Sequence, residues 1–257
     1  LKNVIDSLKT PPKFLYITPN FHNPAGIIYT EKRRRALLDV LSGTDIILIE
    51  DDAYGDLYFD SRDESLTKPI KSYSGYDVEI IYTGSFSKIL GPGFRLGYML
   101  SSPEIFEKAE SIKQALDACT SNFMQILANE FIIGDYLQPY LNFLRKEYSE
   151  RKNILQESLK KHMPKGIQWV EPQGGFYMWL RLPDQVKATT LFTDCINKGV
   201  IFVTGRTFDP DNIKDDHLRL SFSNMPKDSI EKGVILLSHV IRNQMQDVER
   251  LEFSRQN

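Results

Sequence analysis

Short apolar runs of strand-forming residues alternate with helix-patterned segments along the first half of the chain. Four such runs predict strands, at residues 14–18, 46–50, 79–83 and 95–100. Between the first two runs, Thr30 can cap an amphipathic helix. The apolar positions on its inward face are Leu37, Val40 and Leu41. This alternation is typical of an α/β domain with a three-layer, mainly parallel sheet, and we expect one in residues 1–140.

A further helix is predicted to begin at Ser102, where a hydroxyl residue is followed by proline. Apolar residues then recur at spacings of four, three and four positions and form one stripe, namely Ile105, Ala109, Ile112 and Leu116. The chain begins with leucine, and residues 1–8 look like the tail of an element that starts earlier. We therefore expect the chain to be part of a longer one.

The pattern changes from about residue 140. A long charged helix carries apolar residues on one side, namely Leu144, Tyr148, Leu155 and Leu159. Short strand candidates follow at 167–171, 176–182, 200–203 and 217–222. The last helix begins near Pro226 and is expected to bury Ile230, Val234, Leu237 and Ile241. We expect a smaller α+β C-terminal domain over residues 141–257, with the long helix as the bridge.

Composition and charge narrow the class of protein. The 257 residues carry a formal net charge of −2, which argues against a dominant nucleic-acid-binding surface. The tight basic run Arg33–Arg35 is interpreted as the solvent-exposed face of a helix. No apolar stretch is long enough to cross a membrane. Cys119 and Cys195 are too few for a disulfide framework or a metal cluster, which favours a reducing compartment such as the cytoplasm.

The segment Thr83–Gly97 carries the most chemical information. It follows a predicted strand and combines serines, Lys88, a Gly-Pro-Gly turn and Arg95. Glycines allow close approach of the backbone to a ligand, and hydroxyls with arginine suit a phosphate dianion. A lysine in such surroundings can act as a nucleophile. Taken alone, Lys88 is better interpreted as a lysine at a strand end that points into solvent.

Other polar residues stand at similar places. Asp51 ends an apolar strand, the usual position of ligand-binding residues in open α/β sheets. Asp52 is its rival, and a turn or a helix cap is the alternative for either carboxylate. Asn23 precedes Pro24, which also suits a plain turn. Arg219 lies in a predicted strand, where an exposed arginine in an ion pair is the structural alternative to a functional role.

Four segments in order resemble the class I and II aminotransferases, which are fold type I enzymes of pyridoxal 5′-phosphate (PLP). Ser85-Phe-Ser-Lys88, with Arg95 seven residues later, resembles the PLP-lysine motif. The other three are 19–26 (an Asn-Pro-x-Gly loop), 50–54 (an Asp-x-x-Tyr motif) and 217–222 (the strand bearing a carboxylate-binding arginine). The resemblance covers essentially the whole chain and is closest in style to the aminoadipate, aromatic and kynurenine branch.

The resemblance implies how PLP is held. Lys88 would form a Schiff base with the cofactor and move the α-proton of the substrate. Asp51 would pair with the pyridine nitrogen, so that the ring acts as an electron sink. The phosphate would be held by Ser85, Ser87 and Arg95. No metal is implied.

The remaining roles concern the phenolic oxygen of PLP and the substrate. Tyr54 and Asn23 would both hydrogen-bond that oxygen, and alignment on Tyr54 favours Asp51 over Asp52. Arg219, with Asn23, would bind the substrate carboxylate. The implied activity is transfer of an amino group between an L-amino acid and a 2-oxo acid, by a cytoplasmic homodimer.

The family also uses parts that lie upstream of the Asn-Pro-x-Gly loop, including an aromatic residue on the cofactor ring and a glycine-rich phosphate loop. Because these are not in this chain, we expect an incomplete large PLP-binding domain with exposed core. We expect the chain by itself to be inactive, or nearly so, and to bind PLP weakly. Nucleic acid is a partner only if an upstream DNA-binding domain exists.

Three alternative functions remain open. The loop over 19–26 also resembles that of aminotransferase-like transcriptional regulators, in which this fold is a PLP-binding effector domain. A PLP-dependent lyase would use the same lysine motif. In the third alternative the motifs are relics in a protein without cofactor.

Several residues near the motifs are interpreted as structural. His22 is expected to support the site and not to transfer protons. Trp169, Tyr177 and Trp179 are interpreted mainly as core, and Gly174 with Gly175 as a tight turn.

Overall fold

The computed structural model describes residues 1–60 and 65–256, with side-chain surroundings given through Asp247. The chain divides into two compact units, one of residues 1–22 and 27–145 and the other of residues 23–26 and 146–257. None of the helices in this described part is both long enough and apolar enough to cross a membrane.

The first unit is built on a four-stranded sheet in the order β1-β2-β3-β4. Its strands are β1 (Phe14–Ile17), β2 (Ile47–Asp52), β3 (Ile80–Ser85) and β4 (Gly97–Leu100). The pairs β1–β2 and β2–β3 are parallel, whereas β3 and β4 are antiparallel. The connection from β3 to β4 is too short for a crossover, so the two strands form a hairpin. The predicted mainly parallel α/β sheet is confirmed.

The helices of this unit are α1 (Lys2–Ser7), α2 (Glu31–Leu41), α3 (Pro103–Asp117), α4 (Asn122–Ile133) and the first part of α5 (Leu137–His162). Of these, α2 and α3 begin at the cap residues that the sequence predicts. Thr30 caps α2, and its side chain accepts a hydrogen bond from the backbone N–H of Arg33 at 3.3 Å. Ser102 is the cap residue of α3, with Pro103 in the first turn.

One face of the sheet packs against α2. The buried residues of this core are Leu37, Leu38, Leu41, Ile46, Leu48, Ile70 and Ile80. Leu37 and Leu41 face inward as predicted, whereas Val40 is only half-buried. The even-numbered positions of β2 therefore point to the core, and Asp51 points to the other face.

The interpretation of the basic run on α2 is wrong at one position. Arg33 and Arg35 are exposed, but Arg34 is only 1% exposed. Its guanidinium donates to Asn20 Oδ1 and to three backbone carbonyl oxygens. A buried charge is tolerated only when its donors are paired, and here the surrounding loops supply the acceptors.

The apolar stripe on α3 lies at the predicted spacing but is not buried. Ile112 is 59% and Leu116 is 79% exposed, and α3 has no buried residue. On β1, Phe14 is 54% and Tyr16 is 60% exposed. The first unit therefore presents several large apolar side chains to solvent.

The second unit is built on an antiparallel sheet in the order β5-β6-β8-β7. Its elements are β5 (Gln168–Trp169), β6 (Tyr177–Arg181), α6 (Ala188–Ile196), β7 (Val203–Thr204), β8 (His217–Ser221) and α7 (Lys227–Gln256). The four residues of α7 that were predicted to be buried are all buried. The inward residues of the sheet are Met178, Leu180, Leu218 and Leu220.

The interpretation of Tyr177 and Trp179 as core residues is wrong. Both are half-buried, and they alternate along β6 with the fully buried Met178 and Leu180. They therefore lie on the open face of this sheet. Gly175 has a φ of +73°, which supports the predicted tight turn before β6.

The two cysteines differ in exposure to solvent. Cys195 is buried, and this burial raises the pKa of its thiol to about 11, whereas Cys119 is exposed. Because the thiolate is the reactive form, we expect Ellman's reagent at pH 8 to modify Cys119 quickly and Cys195 only after unfolding. The variant Cys119→Ser is the control and should show no fast reaction. Two fast thiols in the native protein would contradict this assignment.

Candidate functional site

The polar residues predicted in the first unit gather at one edge of the sheet. Asp51 lies near the end of β2, where it pairs in register with Thr83 of β3. Tyr54 follows β2, and Ser85 ends β3. Since β2 and β3 are parallel, these residues lie at the carboxyl edge of the sheet, where open α/β sheets bind ligands.

The loop after β3 folds back on itself. Ser85 pairs with Gly97 across the hairpin, and the N–H of Phe86 donates to Leu96 O at 3.0 Å. Ser85 Oγ accepts from the N–H of Ser87 at 3.1 Å and so caps a short 3₁₀ helix over Phe86–Lys88. The pairing places Arg95 at the same strand end as the two serines.

Arg95 has an uncommon backbone conformation. Its φ of 49° and ψ of 37° are left-handed, which costs a non-glycine residue on the order of 1 kcal/mol. The side chain is exposed, and none of the described carboxylates lies within ion-pair distance of it. A cation without a counter-ion beside two hydroxyls can bind a phosphate.

Lys88 ends the 3₁₀ helix and points toward Tyr54. Its Nζ lies 5.8 Å from the centre of the Tyr54 ring. Tyr54 is only 6% exposed, so packing holds its ring in place next to the amine. The structure therefore brings together a primary amine and a phenol that lie 34 positions apart in the sequence.

The two neighbouring aspartates have different partners. Asp51 accepts a hydrogen bond from the hydroxyl of Tyr16. Asp52 accepts from Asn20 Nδ2 at 2.7 Å and from the Tyr82 hydroxyl at 2.9 Å. Desolvation raises the pKa of Asp52, and these two hydrogen bonds oppose the rise. The geometry favours Asp51 as the carboxylate that is open to a ligand.

In the second unit, Asn23 and Arg219 form a pair. Arg219 Nη1 donates to Asn23 Oδ1 at 2.6 Å. The guanidinium carbon of Arg219 lies 4.1 Å from the centre of the Tyr177 ring and 5.1 Å from that of Phe208. Among the described residues, none supplies a carboxylate within ion-pair distance of Arg219, and its buried Nε has no acceptor. This charge is therefore available to an anionic ligand.

The loop Asn23–Gly26 is held against β6. Gly26 has a φ of +66°, and a Cβ there would lie 2.9 Å from Tyr177 O. Glycine is thus required both by the turn and by the close approach. The peptide bond between Asn23 and Pro24 is cis. This close contact with β6 holds the loop in the position in which Asn23 accepts the hydrogen bond from Arg219.

His22 has the features of a structural residue. Its Nδ1 is buried and has no partner among the described residues, and its backbone N–H donates to Ile27 O at 2.9 Å. Burial lowers the pKa of His22, which keeps the imidazole neutral at physiological pH.

The predicted site residues thus form two clusters. The cluster of the first unit contains Asp51, Tyr54, Ser85, Ser87, Lys88 and Arg95, and that of the second contains Asn23 and Arg219. Sequence reasoning missed Tyr16, which bonds Asp51, and Phe208, which contacts Arg219. Tyr16 pairs in parallel register with Ile49, which lies on the same face of β2 as Asp51. A prediction of strand pairing could therefore have placed Tyr16 beside Asp51. Phe208 lies outside any periodic pattern.

Known proteins match the chain in sequence. The family model described as aminotransferase class I and II matches residues 1–235. An aromatic-amino-acid aminotransferase of Thermococcus litoralis is 34% identical over 235 residues, which are 91% of this chain and 55% of that protein. An uncharacterised helix-turn-helix transcriptional regulator of Bacillus subtilis is 30% identical over 228 residues, which are 89% of this chain and 46% of that protein. The chain therefore spans about half the length of these curated relatives.

The fold matches as well. The crystal structure of a kynurenine aminotransferase from Pyrococcus horikoshii superposes with a TM-score of 0.87 at 36% identity, and the match covers 94% of this chain and 59% of that one. The four sequence motifs all lie within the residues that the family model matches. The chain belongs to the class I and II aminotransferase family.

Proposed function

We propose that this chain supplies the PLP-binding and carboxylate-binding residues of an enzyme that transfers an amino group between an L-amino acid and a 2-oxo acid. The observation that carries the proposal is the position of Lys88, whose Nζ faces the Tyr54 ring at 5.8 Å beside the serine and arginine loop. An aldehyde cofactor that binds covalently requires such an amine next to hydrogen-bonding groups that hold the rest of the molecule.

The residues of the first unit fit PLP chemically. Arg95, with no described carboxylate near it, and the hydroxyls of Ser85 and Ser87 suit the phosphate. Asp51 suits the pyridine nitrogen, and Tyr54 suits the phenolic oxygen. In the second unit, Asn23 accepts from Arg219 through its Oδ1, which leaves the amide Nδ2 as a hydrogen-bond donor.

Each of these side chains is assigned a defined part of the chemistry. PLP, when bound, supplies a protonated ring that withdraws electrons from the α-carbon of the substrate. Lys88 Nζ is the atom we assign to covalent attachment of the cofactor, and its free amine would remove the α-proton of the substrate. Asp51 would hold the proton of the ring nitrogen, and the hydroxyl of Tyr16 donates to one of its carboxylate oxygens.

Arg219 is assigned to the α-carboxylate, the group that amino acids and 2-oxo acids share. A guanidinium presents a fork of N–H donors that matches a carboxylate, and a lysine ammonium does not. We expect Arg219→Lys to raise KM for both the amino acid and the oxo acid by about tenfold to a hundredfold. Steady-state kinetics with each substrate varied in turn will give both KM values.

Arg181→Lys is the matched control for Arg219→Lys. Arg181 lies on β6, on the same open face, and its guanidinium lies 3.9 Å from Asp184 with more than half of the side chain exposed. We expect this variant to leave both KM values unchanged. Equal effects of the two substitutions would contradict the assignment of Arg219.

Amino transfer is preferred to the regulator and lyase alternatives. The aromatic and kynurenine aminotransferases are 34% and 36% identical to the chain, whereas the regulator is 30% identical. The assay adds an amino acid and PLP to the protein that contains this chain, with and without a 2-oxo acid. We expect amino transfer that requires the oxo acid. Release of ammonia without it would indicate a lyase, and a ligand-induced spectral change without turnover would indicate a regulator.

We also propose that the protein works as a cytoplasmic homodimer. The two free cysteines, one of them buried, support a reducing compartment. Homodimerisation is typical of the family to which the chain belongs. Light scattering of the protein that contains this chain, after gel filtration, will give its mass directly.

A further inference from the structure

The open face of the second sheet surrounds Arg219 with aromatic rings. Tyr177, on β6, lies 4.1 Å from the guanidinium carbon. Phe208, at the end of a 3₁₀ helix over Gly205–Phe208, lies 5.1 Å from it. Both rings are half-buried, so neither belongs to the core on the other face of the sheet.

Phe208 is itself held by a row of rings. Its edge meets the Trp179 ring at a centroid distance of 5.7 Å and an angle of 85°. Trp179 stacks on His217 at 5.0 Å and 12°, and His217 Nδ1 lies 2.8 Å from Asp216 Oδ1. Phe208, which contacts Arg219, is therefore supported by a continuous row of contacts through Trp179, His217 and Asp216.

The hydrogen bonds of Arg219 do not fix its orientation. Nη1 donates to Asn23, and the buried Nε donates to no residue that the structure describes. A single hydrogen bond leaves the guanidinium plane free to turn about that bond. The aromatic rings are the remaining contacts that can hold the plane, since a cation is attracted to a ring face within about 6 Å.

We propose that Phe208 is a positioning residue, whose ring keeps the Arg219 guanidinium oriented with the N–H groups not used by Asn23 turned toward an incoming carboxylate. The inference rests on the proposed role of Arg219 in carboxylate binding. In this proposal Phe208 acts through its contact with the arginine and not by binding the carboxylate itself. Leucine at 208 keeps the apolar volume but lacks the ring face, whereas tyrosine keeps both.

The test uses the protein that contains this chain and phenylpropionate, a carboxylate with neither an amino nor an oxo group. The Nε–H signal of Arg219 is followed by proton–nitrogen NMR during the titration, in the wild type and in Phe208→Leu and Phe208→Tyr. Phe192→Leu is the matched control, because Phe192 makes an edge contact with Phe202 at 5.5 Å in the same unit.

We expect Phe208→Leu to raise the dissociation constant about fivefold to tenfold. The same variant should move the unliganded Arg219 signal, because the ring current of Phe208 is lost. Phe208→Tyr and Phe192→Leu should stay within about twofold of the wild type.

The possible failures are distinct. Wild-type affinity and an unmoved Arg219 signal in Phe208→Leu would overturn this inference and leave the proposed function intact. Equal weakening by Phe192→Leu would also overturn it, because the effect would then be a general loosening of the unit. A wild-type protein that does not bind phenylpropionate would overturn both this inference and the proposed role of Arg219.

Discussion

Replacing Lys88 with arginine is expected to slow amino transfer by at least about a thousandfold in the protein that contains this chain. Arginine keeps the positive charge, so the surroundings of the side chain change little. It cannot form the covalent bond to an aldehyde, and its guanidinium stays protonated at all accessible pH values. Both tasks that we assign to Lys88 Nζ are lost together, which makes this the largest effect on activity.

The rate of a single amino transfer, followed by the absorbance of PLP, measures this effect without interference from product release. Lys108→Arg is the control. Lys108 lies on the exposed side of α3, where it pairs with Glu104 at 2.7 Å, and its replacement should leave the rate unchanged. A Lys88→Arg variant that retains a tenth or more of the activity would contradict the assignment.

The largest effect on stability is expected at Arg34. Its Nη2 donates to Asn20 Oδ1 at 2.6 Å and to Leu66 O at 2.7 Å, its Nε to Tyr29 O at 3.0 Å, and its Nη1 to Lys68 O at 3.2 Å. Arg34→Met removes all four hydrogen bonds, one to the buried Asn20 Oδ1 and three to part-buried carbonyl oxygens. We expect a loss of about 3–5 kcal/mol in the free energy of unfolding.

The buried carboxylates near Arg34 increase that loss. Glu50 is fully buried and accepts from the N–H groups of Ile70 and Lys71 at 2.7 and 3.0 Å. Burial raises the pKa of Glu50, and the positive charge of Arg34 opposes the rise. Without Arg34, this carboxylate keeps its hydrogen bonds but loses a nearby positive charge.

Arg33→Met is the matched control for Arg34→Met, because Arg33 is its exposed neighbour on the same helix. We expect the control to change the free energy of unfolding by no more than about 0.5 kcal/mol. Urea unfolding followed by circular dichroism gives both values. Equal loss in the two variants would show that the hydrogen bonds of Arg34 do not stabilise the unit.

The contrast between Arg33 and Arg34 shows what the sequence could predict. Hydrophobic spacing identified α2, its cap at Thr30 and the inward Leu37 and Leu41, because these depend on residues within a few turns of one another. The burial of Arg34 depends on carbonyl oxygens of residues 66 and 68, which a loop brings to the helix from more than 30 positions away. A helical pattern contains no information about such a partner.

The residues of the candidate site also fall into a group that the sequence could predict and a group that it could not. The residues on motifs, such as Lys88 and Asp51, could be predicted because their spacing resembles that of a family. Tyr16 and Phe208 could not be found that way, since each acts through a contact between separate elements. Tyr177 was misread because an aromatic residue on a strand was assumed to face the core, whereas its ring lies against Arg219.

The central claim is that Lys88 binds PLP covalently. The direct test is to incubate the protein that contains this chain with PLP, reduce it with sodium borohydride, and map its peptides by mass spectrometry. We predict a single pyridoxyl group, on Lys88, and none on the same peptide of the Lys88→Arg variant. Absence of the group from Lys88, or its presence on another lysine in its place, would contradict the account.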